Sequence, residues 1–425
     1  MPFSFNASLS GLNANSNALG VIGNNIANAN TIGFRSGSIT FSDIFAGSQG
    51  ARLNGAGSTI QIGDGVQTAA IHTNFTQGSL NESGSPLHSG IAGNGFFVTR
   101  NADGSANYTR AGDFTVNNQG YLVASNGAQV QGYAAQNGSI QPGTALSSLR
   151  IPIGQTLAPQ TTTNGTFRMN LDSGGTTGGA TPAVFNSPMQ VYDSRGAART
   201  MNLTFTRQAN GSYNMTATVD GNPAQLSADG GAPSANPVNF TFDSGGNLTS
   251  PTSLSVVPDQ TQLGGATLPS IAINLRETNA DGTPGASNIT NFARPSAVSS
   301  TTQDGYAAGE INGASVDPSG VISAVFSNGQ TRPIGQYALA TFNAQEGLSR
   351  AGGNMFAETL ASGQPTIGEP GTGGRGGIAG GFLEQSNVNL TNEFVNLIEA
   401  QRGFQANSKV ITTLNQTFQD LLQII

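Results

Sequence analysis

The chain has 425 residues, of which 9% are charged, against roughly 25% in an ordinary soluble domain, and its net charge is −7. The absence of Cys, with only two His, excludes disulfide scaffolds, zinc ribbons, thiol enzymes and iron–sulfur sites. With one Lys (Lys409) and singly scattered Arg the chain lacks a nucleic-acid surface, and no apolar run reaches the roughly 18 residues that would suggest a membrane span.

Residues 1–34 carry no charged side chain; the first is Arg35. Phe5, Leu12, Leu19 and Ile26 recur every seventh position, with Leu9, Ser16 and Gly23 as companions. This spacing predicts an amphipathic helix of about four heptads. Its opposite face is rich in Asn, up to ~0.7 kcal/mol per residue worse than Ala in a helix, so the helix is expected to need packing to persist. The start, MPFSFNASLSG, has neither a basic nor a long apolar region, so by the usual rules the chain stays in the cytoplasm.

Residues 35–71 are rich in Gly, Ser and Thr and read as a linker. From about 72 the texture changes to period two with turn punctuation. Strands run through Asp103-Gly104, Asn118-Gln119-Gly120 and Asn126-Gly127, which gives an inner β domain beginning at 72–150. IPIGQTLAPQTTT crosses into an outer domain, 151–290. There Met201, Leu203 and Phe205 share one face, and Tyr213, Met215, Ala217 and Val219 repeat the pattern after Asn210-Gly211, a strong hairpin signal. Val238, Phe240 and Phe242 continue it. DGTPGASN marks the return to the inner domain, completed by 291–362, and strands this short predict antiparallel barrels or sandwiches. Residues 363–384 form a second linker, with PGTGGRGGIAGG (370–381) as a flexible tether.

The last element repeats the device of the first. Leu390, Leu397, Phe404, Ile411, Phe418 and Ile425 are apolar at every seventh residue, with Phe394 and Leu422 on the companion line. Asn389 is placed as an N-cap and Glu393 complements the helix dipole. The fold class is therefore mainly β with α-helical termini: 1–34 and 385–425 form a coiled-coil-like axial domain, and two antiparallel β domains are nested between them.

Chemistry is sought without success. Gly371, Gly373 and Gly376 have dinucleotide spacing, but Glu369-Pro370 precedes them and no helix follows at once. Gly347-Leu348-Ser349-Arg350-Ala351 misses a nucleophile elbow by its last residue, and His72 and His88 lie in polar segments without a matching Ser and acid. Glu277 and Asp281 sit at turns. No enzyme, cofactor or metal site is expected.

At its two ends the chain resembles a known family. SLSGLNANSNALGVIGNNIANANTIGFRSG (8–37) is similar to the N-terminal signature of bacterial flagellar axial proteins, the rod, hook and hook-associated family, and LEQSNVNLTNEFVNLIEAQRGFQANSKVI (383–411) to its C-terminal signature. GNGFFVTR, YTRAGDFTVNNQGYLV and VQGY (93–133) resemble the inner β domain of that family, and 289–311 with 325–359 resemble its return. The extra 151–290 domain resembles the hook branch more than the distal rod, which is the alternative. A secreted β-rich adhesin or fibre would show repeats or a secretory signal. One departure is His88-Ser89, where the family usually has an acidic-apolar pair.

The resemblance implies a structural subunit, passed unfolded through the flagellar type III export apparatus and assembled outside the cell. It polymerises through its terminal helices into a flexible tube linking rod to filament. Its implied partners are further copies of itself, the distal rod protein, the hook cap and the hook–filament junction proteins, with no nucleic acid and no membrane insertion. The expected assembly interface is Phe5, Leu9, Leu12, Leu19, Ile26, Leu390, Phe394, Leu397, Phe404, Ile411, Phe418 and Leu422. The uncharged Asn face of the first helix is expected at the central channel.

Overall fold

The computed structural model describes residues 2–45, 63–136, 138–174, 183–279 and 284–424. Helices occupy the two ends, α1 (Pro2–Ala27) and α2 (Leu390–Ile424), and the described residues between them are mostly strand. The chain divides into two compact units: residues 1–153, 313–325 and 331–425 form one, and 154–312 with 326–330 the other.

In the first unit, α1 ends where Asn28 and Thr31 turn the chain, seven residues short of the expected boundary at 34. At the other end the Asn389 carboxamide accepts from the N–H groups of Thr391 (3.1 Å) and Asn392 (3.2 Å), the N-cap the sequence indicates. The β body is organised on the strand Phe96–Arg100, whose alternate side chains enter two cores. It pairs antiparallel with Ala106–Thr109, with Gln129–Gln136 and with Leu339–Thr341. Phe97 meets Phe114 and Tyr337 in one core, and Phe96 meets Phe75, Phe342 and Phe356 in the other, mostly edge to face.

Both expected linkers differ from the reading above. Within 35–71, the strands β1 (Gly37–Phe45) and β2 (Gly63–Thr73) form an antiparallel ladder, with Gly37 opposite Thr73 and Phe45 opposite Gly63. The 363–384 segment adds Thr366–Gly368 to Leu339–Thr341, Gly377–Gly380 to Ser89–Ala92, and Phe382–Glu384 to Leu80–Glu82. The tether is therefore a packed part of the body. At Gly376 a Cβ would stand 2.5 Å from the Ala92 carbonyl oxygen, so there the glycine permits close backbone approach instead of mobility.

The second unit follows its period-two pattern closely. Its strands run in the spatial order Val184–Tyr192, Ala198–Arg207, Tyr213–Val219, Asn222–Ala228, Leu254–Val257, Ile271–Asn274, Asn164–Asn170. Met201, Leu203, Phe205, Tyr213, Met215, Ala217 and Val219 are all buried in one core, joined by Phe240 and bordered by Val238 and Phe242. The Gln208–Ser212 turn carries Asn210-Gly211, with Gly211 at φ 85°. This unit extends past the expected return at 291. Ala297–Gln303 pairs antiparallel with Asn164–Asn170, which places residues 291–312 outside the inner domain to which the sequence reading assigned them.

Candidate functional site

The two terminal helices lie antiparallel, and their register can be read from side chains. Asn25 donates to the Glu393 carboxylate (3.1 Å); Asn15 covers Gly403, and Asn407 covers Gly11. A Cβ at Gly11 or Gly403 would stand 2.8 Å from the facing carboxamide, so each Asn sits in the space a glycine leaves. Small residues govern the seam. Among the described side chains, Ser8, Gly11, Ala14, Ala18, Ile22 and Asn25 are the buried positions of α1, and Ala400 is the buried position of α2.

This corrects the expected seam. Leu19, Ile26 and Leu397 pack against the Ala18–Ile22–Ala400 cluster, and Phe5, Leu12, Phe404 and Ile411 are half-buried. Leu9, Leu390, Phe394, Phe418 and Leu422 are exposed. Seven-residue spacing identified apolar positions but not the tightest line of contact. Close approach of two helices selects residues without bulk, which a hydrophobic template cannot detect.

Apolar side chains of α2 are exposed in two places: Phe394, Val395, Ile398 and Val410 face away from α1, while Leu390, Phe418 and Leu422 lie at the two ends of the line that carries Leu397, Phe404 and Ile411, with Phe394 and Ile398 each 50% exposed and Leu422 74%. The exposed positions of α1, among them Asn6, Asn13, Asn17, Gly20 and Asn24, carry no charge.

Two polar devices fasten the helices to the body, and neither was anticipated. Asn25, 2% exposed, exchanges two hydrogen bonds of 2.8 Å with the backbone N–H and C=O of Gly37, acting as a strand residue would while it holds Glu393. Burial pushes the Glu393 carboxyl upward, and the bond from Asn25 opposes this. Below it, Glu384 accepts from Arg35 (2.7 Å), from Arg110 (3.4 Å) and from the Gly78 N–H (2.9 Å), all three charged side chains being almost wholly buried. Two guanidiniums share one carboxylate. Arg110 also stands over the Phe96 ring at 5.3 Å. Burial lowers its pKa to about 10, with Glu384 opposing the shift and Arg35 adding to it. The available signal was position: Arg35 and Glu384 follow and precede the two helices in a chain with few charges.

Among the described residues no group of His, Asp or Glu side chains is arranged to hold a metal, and no helix is long and apolar enough to cross a membrane. His88 has Nδ1 against the Ser83 hydroxyl, while His72 lies at 3.8 Å from Glu346 on the surface.

Four family descriptions, all of flagellar rod or hook proteins, match the chain in order. Residues 5–35 match the flagella basal body rod protein, and 90–173 the flagellar hook protein FlgE/F/G D1 domain. Residues 178–306 match the flagellar basal body protein FlaE D2 domain, and 379–424 the flagellar basal body rod FlgEFG protein C-terminal region. The chain is 35% identical to the flagellar hook protein FlgE of Treponema pallidum, with 98% of each chain covered. It is 33% identical to that of Salmonella typhimurium, covering 99% of this chain and 100% of the relative. The crystal structure of Helicobacter pylori flagellar hook protein FlgE2 superposes with a TM-score of 0.51 at 15% identity, covering 72% of this chain and all of that one, which shows a shared fold. The chain belongs to the flagellar hook protein family, and its function is that of a structural subunit of the hook.

Proposed function

We propose that the subunit polymerises by covering the apolar outer side of α2 with the terminal helices of neighbouring copies. Supporting this is one observation above the rest: α1 covers one side of α2 only, which leaves Phe394, Val395 and Ile398 in water on the far side, and Phe418 and Leu422 are in water where the facing line runs on past α1. Exposed apolar surface of this extent marks an interaction site. Leu9 is exposed as well, Phe5, Leu12, Phe404 and Ile411 are half-buried, and Leu19, Ile26 and Leu397 hold the pair together within a subunit.

In this reading the chain passes through the flagellar export apparatus unfolded, which a Cys-free sequence suits, and adds to the growing end beneath a hook cap. It joins the distal rod protein at one end of the tube and the junction proteins at the other.

The test is negative-stain electron microscopy of the purified chain under salting-out conditions, beside Leu397→Asp and Ile398→Asp. Curved tubes are expected from the parent chain alone. Leu397→Asp breaks the pair within a subunit and Ile398→Asp only the outer surface. Normal tubes from Ile398→Asp would overturn the reading, and straight tubes from the parent would favour a rod-type subunit.

A further inference from the structure

The register of the helix pair leaves its two ends unlike. With Asn25 opposite Glu393 and Gly11 opposite Asn407, Pro2 falls level with about Gln416. The remaining residues of α2, about two turns or ~12 Å, run past α1. This projecting end carries Phe418 and Leu422, both exposed, and a single acid, Asp420, which has no ion-pair partner among the described residues.

Toward the other end of α1, about 33 Å from Pro2 at the level of Asn24, lies a groove of opposite character. Ser16, Asn17, Gly20, Val21 and Asn24 form its helical wall, with Thr68, Ile71 and Arg350 facing them across about 510 Å³. Gly20 has nothing within 4 Å of where a Cβ would stand, and Ile71 is 58% exposed, so the groove is open and in part apolar. Arg350 also lines a neighbouring cavity of about 240 Å³ with Arg35, Asn24 and Asn28, and no acid lines either space. Its guanidinium bonds to the Arg35 carbonyl (2.8 Å) and the Thr73 hydroxyl (3.3 Å) and stands over Phe34, but among the described residues no carboxylate reaches it. Burial pulls its pKa down, the direction an unneutralised cation takes.

Resting on the assembly reading above, we infer that the projecting end of α2 in one subunit docks into the Gly20–Ile71–Arg350 groove of a second copy, with Asp420 on Arg350 and Phe418 and Leu422 against Gly20 and Ile71. The complement is one of charge and of shape: a lone acid between two large apolar side chains meets a lone cation beside an open glycine. Because donor and acceptor lie at opposite ends of one helix pair, the contact is heterologous and repeats without closing on a dimer. The Asn-rich face of α1 is thereby assigned to a subunit contact and not to a channel wall.

The absence of native Cys makes the test direct. Gly20→Cys fits the open space and Leu422→Cys replaces an exposed side chain, so both variants should fold. Under salting-out conditions with mild oxidation, the full chain carrying both substitutions should give a ladder of covalent oligomers on a denaturing gel. Each single-Cys chain should give no ladder, and an equimolar mixture of the two should give a heterodimer. In parallel, Arg350→Glu and Asp420→Arg should each reduce tube yield at least tenfold, and combining them should restore most of it. Tubes from the double-Cys chain without a ladder, or charge reversals that leave tube yield unchanged, would overturn the inference and leave the assembly reading standing. Absence of tubes from the parent chain would remove both.

Discussion

The helix pair and the 154–312 unit solve the same problem with unequal means. In the β unit every strand face that turns inward finds a partner, and Phe205, Met201, Leu203, Met215 and Phe240 are wholly buried. In the helix pair the core is Ala18, Ile22 and Ala400 with four half-buried neighbours, one of them Ile39 of β1, while larger apolar residues stand in water. Burial contributes roughly 25 cal/mol per Å² of apolar surface, so the β unit carries its own stability and the pair does not. In the proposed assembly a hook subunit has use for both conditions: a body that is finished before it, and ends that are finished by it.

The largest effect should come from breaking the finished part. Phe205 is 0% exposed and meets Phe240 edge to face at 5.4 Å. Phe205→Ala should cost about 3–5 kcal/mol, combining lost transfer energy with the cavity left behind. Urea unfolding followed by hydrogen exchange should show the loss across residues 164–274, with the terminal helices unchanged. Equal loosening of α1 and α2 would mean that the two regions are not energetically separate.

A smaller effect is expected at the pair itself. Asn25→Ala removes both bonds to Gly37 and the bond to Glu393, leaving polar groups orphaned near the start of β1. About 1–3 kcal/mol per orphaned group is the usual cost. Hydrogen exchange should rise in β1 and in the first turns of α2, with the 154–312 unit unaffected. Restoration by Asn25→Asp would show that the acceptor matters more than the donor; failure of both variants to alter exchange would sink the pinning role.

These two sites also mark what could be read in advance. Phe205 was legible because a strand with one buried face repeats its preference every second residue, and two consecutive strands did so, with Val238, Phe240 and Phe242 repeating it further on. Asn25 was not, because its importance lies in reaching backbone groups of a strand twelve residues on, and a polar residue in an Asn-rich helix gives no periodic signal. The same limit explains the linkers. Gly-rich composition predicts a free chain, yet at Gly376 the glycine is there because a backbone passes too close for a Cβ. The helix seam was half legible: Leu19, Ile26 and Leu397 carry an apolar period, while Gly11 beneath Asn407 and Gly403 beneath Asn15 carry none. The buried Arg35–Glu384–Arg110 cluster depends on contacts more than 270 residues apart, which no local pattern carries.

Acid should separate the two regions by sign, though weakly. In the β unit Asp304 is held at about 2: burial pushes its carboxyl up, but the N–H groups of Asn164 and Thr163, the Thr163 hydroxyl and the Asn164 carboxamide outweigh it. Its folded pKa lies below the unfolded value of 3.8, so its contribution is present above pH 4 and is lost as pH falls toward about 2. Glu393 at the helix pair runs the other way. Its folded pKa lies above 4.5, so the protonated form is favoured by folding, and stability there is greatest below that value and falls as pH rises through the shifted one. Both groups are half-buried and still reached by solvent, whose screening limits each contribution to about 1 kcal/mol or less. Residue-resolved hydrogen exchange, corrected for intrinsic rates at pH 6, 4 and 2.5, should show protection at Asn25 and β1 rising from pH 6 to 4 while residues 163–170 hold steady. Below pH 4 protection at 163–170 should fall, and in Asp304→Ala that step should vanish. Parallel changes in both regions would mean that a property of the whole chain, such as net charge, governs the acid response instead of these two carboxylates.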